Sequence, residues 1–192
     1  MNNKLKIVGL VILLATIMGL ALWAYSKLSY GNYEQPATTK NILQDKETTS
    51  KDEYEQAFDV TIYNSAGEKV SLTSLFEGKP VVVNFWASWC GPCKSEMPEF
   101  QSVYDSIGND VKFVMINLTD NFRETQKTAE KFIASEKYTF PVYFDKDMDA
   151  SDKYGIYSIP TTFFINAEGK IINIHSGILT KKQLMQNIDK IS

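Results

Sequence analysis

The chain has 192 residues, which is enough for one ordinary domain with additional segments. Its formal net charge of −3 gives no support for nucleic-acid binding, which would need a basic face, so we expect no nucleic-acid partner. Two cysteines and a single histidine, His175, are a poor basis for a metal site, and we predict neither a metal nor a cofactor.

The first feature along the chain is an uncharged, mostly apolar segment from Ile7 to Ser26. A length of about 20 residues is what a helix needs to cross the hydrocarbon core of a bilayer. Lys4 and Lys6 precede the segment, and this orients the N-terminus towards the cytoplasm. We therefore expect residues 1–26 to be a cytoplasmic N-terminus followed by a transmembrane signal anchor. The alternative is a cleaved signal peptide, but the apolar run is long for one and no small-residue cleavage site follows it.

Residues 27–57 are polar and contain few apolar side chains, which predicts a flexible tether rather than a packed element. A flexible coil of about 30 residues spans roughly 30 Å. The tether would therefore hold the following domain, residues 58–192, close to the extracytoplasmic face of the membrane.

From residue 58 onwards, strand patterns and helix patterns are interspersed. Strands are predicted where short apolar runs are bounded by turn residues, at 60–62, 70–72, 81–86, 111–116, 140–144, 161–165 and 171–174. Helices are predicted at 92–106, 123–137, 149–154 and after Thr180, which is a suitable N-cap. This order predicts an α/β fold with a central mixed sheet, helices on both faces and an N-terminal β-hairpin extension.

The two cysteines, Cys90 and Cys93, lie in the run Trp89-Cys90-Gly91-Pro92-Cys93. A disulfide ring this small restrains little of the unfolded chain, so a purely structural role explains it poorly. A predicted strand ends just before the run and a predicted helix begins at Pro92. The unpaired N–H groups of that helix would face Cys90 and lower the pKa of its thiol. We expect Cys90 to attack a disulfide and Cys93, one turn further in, to resolve the mixed disulfide.

Residues 83–94, with the sequence VNFWASWCGPCK, resemble the active-site segment of thioredoxin-like proteins. Together with the preceding LFEGK and the apolar N-terminus, they are most similar to the TlpA/ResA branch, the membrane-tethered thiol-disulfide oxidoreductases of bacteria. Ile159 and Pro160, in the sequence SIPTT, match a second signature of this family. The resemblance implies a thioredoxin-like fold, a cis proline at Pro160 beside the cysteines, and an Ile159 backbone that pairs with a bound substrate.

At two polar positions this chain differs from thioredoxin itself. Thioredoxin has a buried aspartate where this chain has Asn84, and a neutral amide cannot take a proton from Cys93. The ResA-like branch carries a glutamate at the spacing of Glu96, so the resemblance makes Glu96 the candidate proton carrier. The alternative is an exposed helix glutamate. We expect Trp86 to lie in the core and Trp89 to be partly exposed beside the cysteines as a substrate contact.

The predicted function is that of a monomeric, membrane-tethered thiol-disulfide oxidoreductase acting on protein disulfides, such as apocytochrome c or another surface protein. The dipeptide Gly91-Pro92 is that of thioredoxin and favours a reductant over a thiol oxidant. A reductant outside the cytoplasm needs electrons from a membrane partner, and the resemblance implies a donor of the CcdA/DsbD type. A copper carrier that uses the cysteine pair and a peroxidase are further alternatives.

Overall fold

The computed structural model describes residues 16–23 and 54–192. Residues 16–23 are helical and their side chains are exposed. Within the described residues, no helix is both long and apolar enough to cross a membrane. The anchor predicted within residues 1–26 and the tether predicted for residues 27–57 lie largely outside the described residues.

A seven-stranded mixed sheet forms the centre of the part of the chain from residue 54 to residue 192. Its strands are β1 (Thr61–Tyr63), β2 (Lys69–Ser71), β3 (Val81–Trp86), β4 (Lys112–Asn117), β5 (Val142–Phe144), β6 (Thr161–Ile165) and β7 (Ile171–Ser176). They are arranged in the order β2-β1-β5-β4-β3-β6-β7. β3 pairs in parallel with β4 and antiparallel with β6, and β1 and β2 form the hairpin at one edge. The predicted mixed sheet and N-terminal hairpin are therefore confirmed.

The helices of this part of the chain are α1 (Gly91–Ile107), α2 (Gln126–Glu136), α3 (Asp149–Lys153) and α4 (Lys181–Ile188). Thr125 and Thr180 cap α2 and α4, each with a reciprocal capping box. The sequence predicted that α2 starts at residue 123. It begins at Gln126 because Thr125 has an extended backbone and its side chain accepts the N–H of Thr128.

The core lies on both faces of the sheet, and β3 is buried along its whole length. Val82 and Trp86 point to one face, where they pack with residues of α1, α2 and α4. Val81 and Phe85 point to the other face, where the cluster includes Ala150 of α3. Burial on both faces explains why β3 is a nearly continuous apolar run rather than an alternating one.

The folded backbone already includes residues that composition assigned to the tether. Gln56 forms a bridge with Lys170, the N–H of Ala57 donates to the carbonyl of Gly169, and the N–H of Ile171 donates to the carbonyl of Glu55. These backbone hydrogen bonds order residues 55–57 although they carry little apolar side chain. They lie near the start of β7, at the end of the sheet away from the C-terminal end of β3.

Three chain segments meet at the end of the sheet where β3 and β4 have their C-termini. β3 and β4 end there, since Trp86 is paired with Asn117, and β6 begins there, since Phe85 is paired with Thr161. The segments that follow β3 and β4 and the segment that precedes β6 are therefore neighbours. The last of these contains a cis peptide between Ile159 and Pro160, as the resemblance implied.

Candidate active site

The cysteine pair lies at the start of α1 and forms a disulfide with Cα atoms 5.3 Å apart. Cys90 is the N-cap residue, and its Sγ accepts the backbone N–H of Cys93 at 3.2 Å. The same N–H group stabilises a thiolate on Cys90 once the disulfide opens, and the positive end of the helix dipole acts in the same direction. Cys93 is fully buried and Cys90 is 4% exposed, so Cys90 is the outer sulfur of the pair.

The cis proline segment lies on one side of Cys90. The carbonyl oxygen of Ile159 is 3.7 Å from the Sγ of Cys90. In the disulfide this is a contact between two acceptors, whereas a reduced Cys90 thiol can donate to the same oxygen. The structure thus places the predicted residues Ile159 and Pro160 beside the outer sulfur.

Glu96 is 1% exposed, so the alternative of an exposed helix glutamate is wrong. Its Oε1 accepts from the Nδ2 of Asn84 at 2.9 Å, and its Oε2 accepts the backbone N–H of Leu179 at 2.8 Å. The Nδ2 of Asn84 also donates to the Oγ1 of Thr162 at 3.0 Å. Glu96 lies three residues after Cys93 on the same helix. Its carboxylate is held by a donor on β3 and by a donor in the segment before α4.

Burial raises the pKa of Glu96 to about 7, although the Leu179 N–H and the Asn84 amide favour the carboxylate and act in the opposite direction. A carboxyl group with a pKa near neutrality can hold or release a proton under physiological conditions. The Oδ1 of Asn84 has no hydrogen-bond partner among the described residues. A rotation of the Asn84 amide by about 180° would turn this oxygen towards Glu96, where it can accept the proton of the neutral acid.

The two tryptophans of the motif have different environments, as predicted. Trp86 is fully buried beneath α2, where its ring packs 5.9 Å from that of Phe132. Trp89 is 42% exposed, and the guanidinium of Arg123 lies 3.7 Å from the centre of its ring. This cation–π contact joins the cysteine segment to the loop that follows β4.

Sequence reasoning missed a second buried carboxylate, Glu124, in this loop. Its Oε2 accepts from the backbone N–H of Ser88 at 3.0 Å and from the hydroxyl of Ser88 at 2.8 Å. Its Oε1 accepts from the hydroxyl of Thr128 at 3.2 Å. The only signal in the sequence is indirect: β3 and β4 are predicted central strands, and the segments that follow neighbouring parallel strands meet at one edge.

The single histidine lies on the strand beside this cluster, since His175 is the cross-strand partner of Thr162. His175 lies on β7, with its Nε2 3.4 Å from the carbonyl oxygen of Ile178. Within residues 16–23 and 54–192, no group of three or more His, Cys, Asp or Glu side chains is arranged to hold a metal ion.

Comparison with known proteins gives the family. The model of the AhpC/TSA family matches residues 54–174. The chain belongs to this family. Sporulation thiol-disulfide oxidoreductase A of Bacillus subtilis (strain 168) is 40% identical over 121 residues, which is 62% of this chain and 72% of that protein. Thiol-disulfide oxidoreductase ResA of Halalkalibacterium halodurans is 33% identical over 138 residues, which is 71% of this chain and 76% of that protein.

Solved structures agree with these relatives. The crystal structure of StoA from Bacillus subtilis covers 68% of this chain and 96% of its own, with 36% identity and a TM-score of 0.59. A thiol:disulfide interchange protein of the thioredoxin family from Chlorobium tepidum covers 72% of this chain and 96% of its own, with 26% identity and a TM-score of 0.61. These findings confirm the thioredoxin-like fold and the resemblance to ResA-type proteins. The chain is a thioredoxin-like thiol-disulfide oxidoreductase.

Proposed function

We propose that this protein reduces disulfide bonds of other proteins on the extracytoplasmic side of a bacterial membrane, through the dithiol form of Cys90 and Cys93. The observation that carries the proposal is the position of Cys90, where the N–H of Cys93 points at its sulfur and the Ile159 carbonyl lies beside it. This arrangement stabilises a thiolate and leaves it next to a backbone edge that a polypeptide can approach.

The reaction proceeds in two exchange steps. The Cys90 thiolate attacks one sulfur of the substrate disulfide, the substrate S–S bond breaks, and one substrate thiolate leaves. The Cys93 thiolate then attacks the Sγ of Cys90, which releases the second substrate thiolate and forms the Cys90–Cys93 disulfide. Two electrons pass from the dithiol to the substrate, and the two protons from the cysteine thiols are balanced by those taken up by the substrate thiolates.

Glu96 is the group we propose to carry the proton of Cys93. It is buried three residues further along α1, and its pKa of about 7 allows it to accept a proton as Cys93 becomes a thiolate. Asn84 and Leu179 hold the carboxylate in one orientation. Asn84 therefore positions the proton carrier and does not itself replace the aspartate of thioredoxin.

Trp89, Ile159 and Pro160 are proposed to contact the substrate. Ile159 is half-buried with its carbonyl oxygen next to the reacting sulfur, and Trp89 exposes a large part of its ring next to Cys90. An extended substrate segment would pair with the Ile159 backbone and pack its side chains against the exposed part of the Trp89 ring.

The proposed location and partners rest on the sequence. The apolar segment from Ile7 to Ser26 supports a single-pass anchor, with residues 27–57 largely as the tether, in a protein that works as a monomer. The Gly91-Pro92 dipeptide supports a reductant, and a reductant at this location requires a membrane electron donor, which we propose to be of the CcdA/DsbD type. Apocytochrome c or another surface protein is the proposed acceptor.

The test is reduction of insulin by the full-length protein in detergent, with dithiothreitol as the electron source, together with the reduction potential of the Cys90–Cys93 couple. We expect turnover and a potential near that of thioredoxin, about −270 mV. A potential above about −180 mV would overturn the assignment as a reductant and favour a thiol oxidant. Stoichiometric copper binding that withstands a chelator, or turnover of hydrogen peroxide without insulin reduction, would favour the carrier or the peroxidase instead.

A further inference from the structure

The loop between β4 and α2 has a fixed shape. We define the 120–125 loop as residues 120–125. The Oδ1 of Asp120 accepts the backbone N–H groups of Phe122, Arg123 and Glu124 at 2.9, 2.8 and 2.9 Å. A single carboxylate oxygen thus ties three consecutive residues, which leaves the loop little freedom to rearrange.

Two side chains of the 120–125 loop attach it to the segment that ends at Cys90. Glu124 is fully buried and accepts both donors of Ser88, two residues before Cys90. Arg123 stacks on Trp89, the residue directly before Cys90. The loop and the cysteine segment are consequently held together by one buried contact and one surface contact.

Phe122 lies directly before these two anchors and is 93% exposed. Scattered exposed apolar residues are common, but this ring is presented by a fixed loop that is bonded to the reacting segment. Tyr157, which is 99% exposed, comes two residues before Ile159 on the other side of Cys90. The outer sulfur is therefore flanked on both sides by segments that present aromatic rings to solvent.

We propose that Phe122 is a specificity residue for the exchange reaction, in which it contacts an apolar side chain close in sequence to the reacting cysteine of a protein substrate. Glu124 and Arg123 are positioning residues that hold Trp89 and Cys90. This inference rests on the proposed disulfide-exchange function. The occupant is the substrate polypeptide, because the 120–125 loop is continuous, through Ser88 and Trp89, with the sulfur at which that polypeptide reacts.

The arrangement also limits how a substrate can approach Trp89. One face of the indole is covered by the Arg123 guanidinium, so an incoming chain can use only the uncovered part of the ring. Phe122 is the residue directly before Arg123, so a substrate side chain that approaches Trp89 and avoids the cation has an exposed apolar ring available in the same loop. The preferred substrate therefore carries apolar rather than polar side chains next to its cysteine.

The test uses the reduced full-length protein and two synthetic peptide disulfides of equal length and charge, with either Leu or Ser flanking the cysteine. We expect the wild-type protein to reduce the Leu peptide about tenfold faster at low concentration, which corresponds to about 1.4 kcal/mol. In F122S the ratio of the two rate constants should fall severalfold, and what preference is left comes from the uncovered part of Trp89. The control Tyr54→Ser removes an exposed ring near the start of β7, at the other end of the sheet, and should keep the wild-type ratio.

The positioning role is tested with a third probe, hydroxyethyl disulfide, which has no peptide side chains to dock. We expect Glu124→Gln to lower the rate constant severalfold with all three probes, because Ser88 and Trp89 are held less firmly beside Cys90. A merely structural role would change the unfolding midpoint and leave these rate constants as in the wild type at a temperature where the variant is folded. Such a result would overturn the positioning role of Glu124.

The outcomes separate the inference from the function on which it rests. Equal rate constants for the two peptides in the wild-type protein, or an undiminished preference in F122S, would overturn the role of Phe122 and leave disulfide exchange intact. A wild-type protein that fails to reduce hydroxyethyl disulfide and both peptides would instead contradict the proposed function.

Discussion

Two regions next to Cys90, helix α1 and the 120–125 loop, each contain a buried carboxylate, but the two carboxylates have different surroundings. On the α1 side, Glu96 follows both cysteines on the same helix and is held by the Asn84 amide and the Leu179 N–H. On the side of the 120–125 loop, Glu124 accepts from the Ser88 backbone and hydroxyl and from Thr128. One carboxylate follows Cys93 by three residues on α1, and the other binds Ser88 in the segment that ends at Cys90.

The comparison shows that burial alone does not assign a role to an acidic side chain. Burial raises the pKa of Glu96 to about 7, which suits proton transfer beside Cys93. Glu124 joins two segments that are distant in sequence, and its neighbours Phe122 and Arg123 point to recognition rather than proton transfer. If this division is right, changes on the α1 side should alter chemistry and pH dependence, and changes on the loop side should alter stability and substrate choice.

The largest effect is expected on the α1 side, from Cys93→Ser. Without the resolving thiol, Cys90 still attacks a disulfide but the mixed disulfide persists, so turnover of insulin should fall at least about a thousandfold while a covalent adduct accumulates. Non-reducing electrophoresis and mass spectrometry detect the adduct. The matched variant Cys90→Ser should form none, because Cys93 is fully buried. Equal trapping by both variants would contradict the assignment of Cys90 as the attacking thiol.

Glu96→Gln should change how stability depends on pH in the oxidised protein, in which the cysteines do not titrate. In the unfolded chain Glu96 ionises near its ordinary pKa of 4.5, whereas in the folded protein it stays neutral up to about pH 7. Wild-type stability should therefore fall as pH rises from 4.5 to 7 and then level off, by about 3 kcal/mol in total. Urea unfolding at pH 4.5 and pH 8 measures the change.

The informative quantity is the difference between wild type and variant, since it cancels the other titrating groups. The free energy of unfolding of Glu96→Gln, relative to that of the wild type, should rise by about 3 kcal/mol between pH 4.5 and pH 8, because a glutamine has no proton to lose. The Oδ1 of Asn84, which has no partner among the described residues, can accept from the new amide. The control Glu136→Gln, at the exposed end of α2, should follow the wild type at every pH. A parallel pH dependence for wild type and Glu96→Gln would show that Glu96 is ionised throughout.

On the loop side, Glu124→Ala should destabilise the protein by about 2 kcal/mol, because two donors of Ser88 lose their acceptor in a partly buried place. Glu124→Gln keeps one acceptor oxygen and should cost about half as much. Urea unfolding at a single pH measures both. An Ala variant as stable as the wild type would mean that the 120–125 loop is held from elsewhere.

Much of the α1 side could be predicted from the sequence because its determinants are local. Cys90 and Cys93 are one turn apart, Glu96 follows at helical spacing, and Trp86 ends the fully buried strand β3 whereas Trp89 lies beyond it. The cis proline is distant in the chain but carries its own signature, and its place beside Cys90 follows from the antiparallel pairing of β3 with β6.

The loop side could not be predicted in the same way. Ser88 and Glu124 are 36 residues apart, and their contact exists because β3 and β4 are parallel neighbours that end together. The periodicity predicts a helix that includes Arg123, but Asp120 accepts the N–H groups of residues 122–124 and α2 begins only at Gln126. The local pattern therefore predicts the wrong conformation for the arginine that stacks on Trp89.

The smallest expected effect is that of the contact between Arg123 and Trp89. Arg123→Met keeps most of the packing on the ring but removes the charge, and an exposed cation–π contact contributes about 0.5–1 kcal/mol. A double-mutant cycle with Trp89→Leu isolates this coupling from other effects of either change. We expect a coupling of about 0.5 kcal/mol, and none between Lys146→Met and Trp89→Leu, since Lys146 lies over the ring of Tyr63 instead. Zero coupling for the first pair would mean that the cation does not help to hold the 120–125 loop against Trp89, and the contact of Glu124 with Ser88 would then be the one that stabilises this attachment.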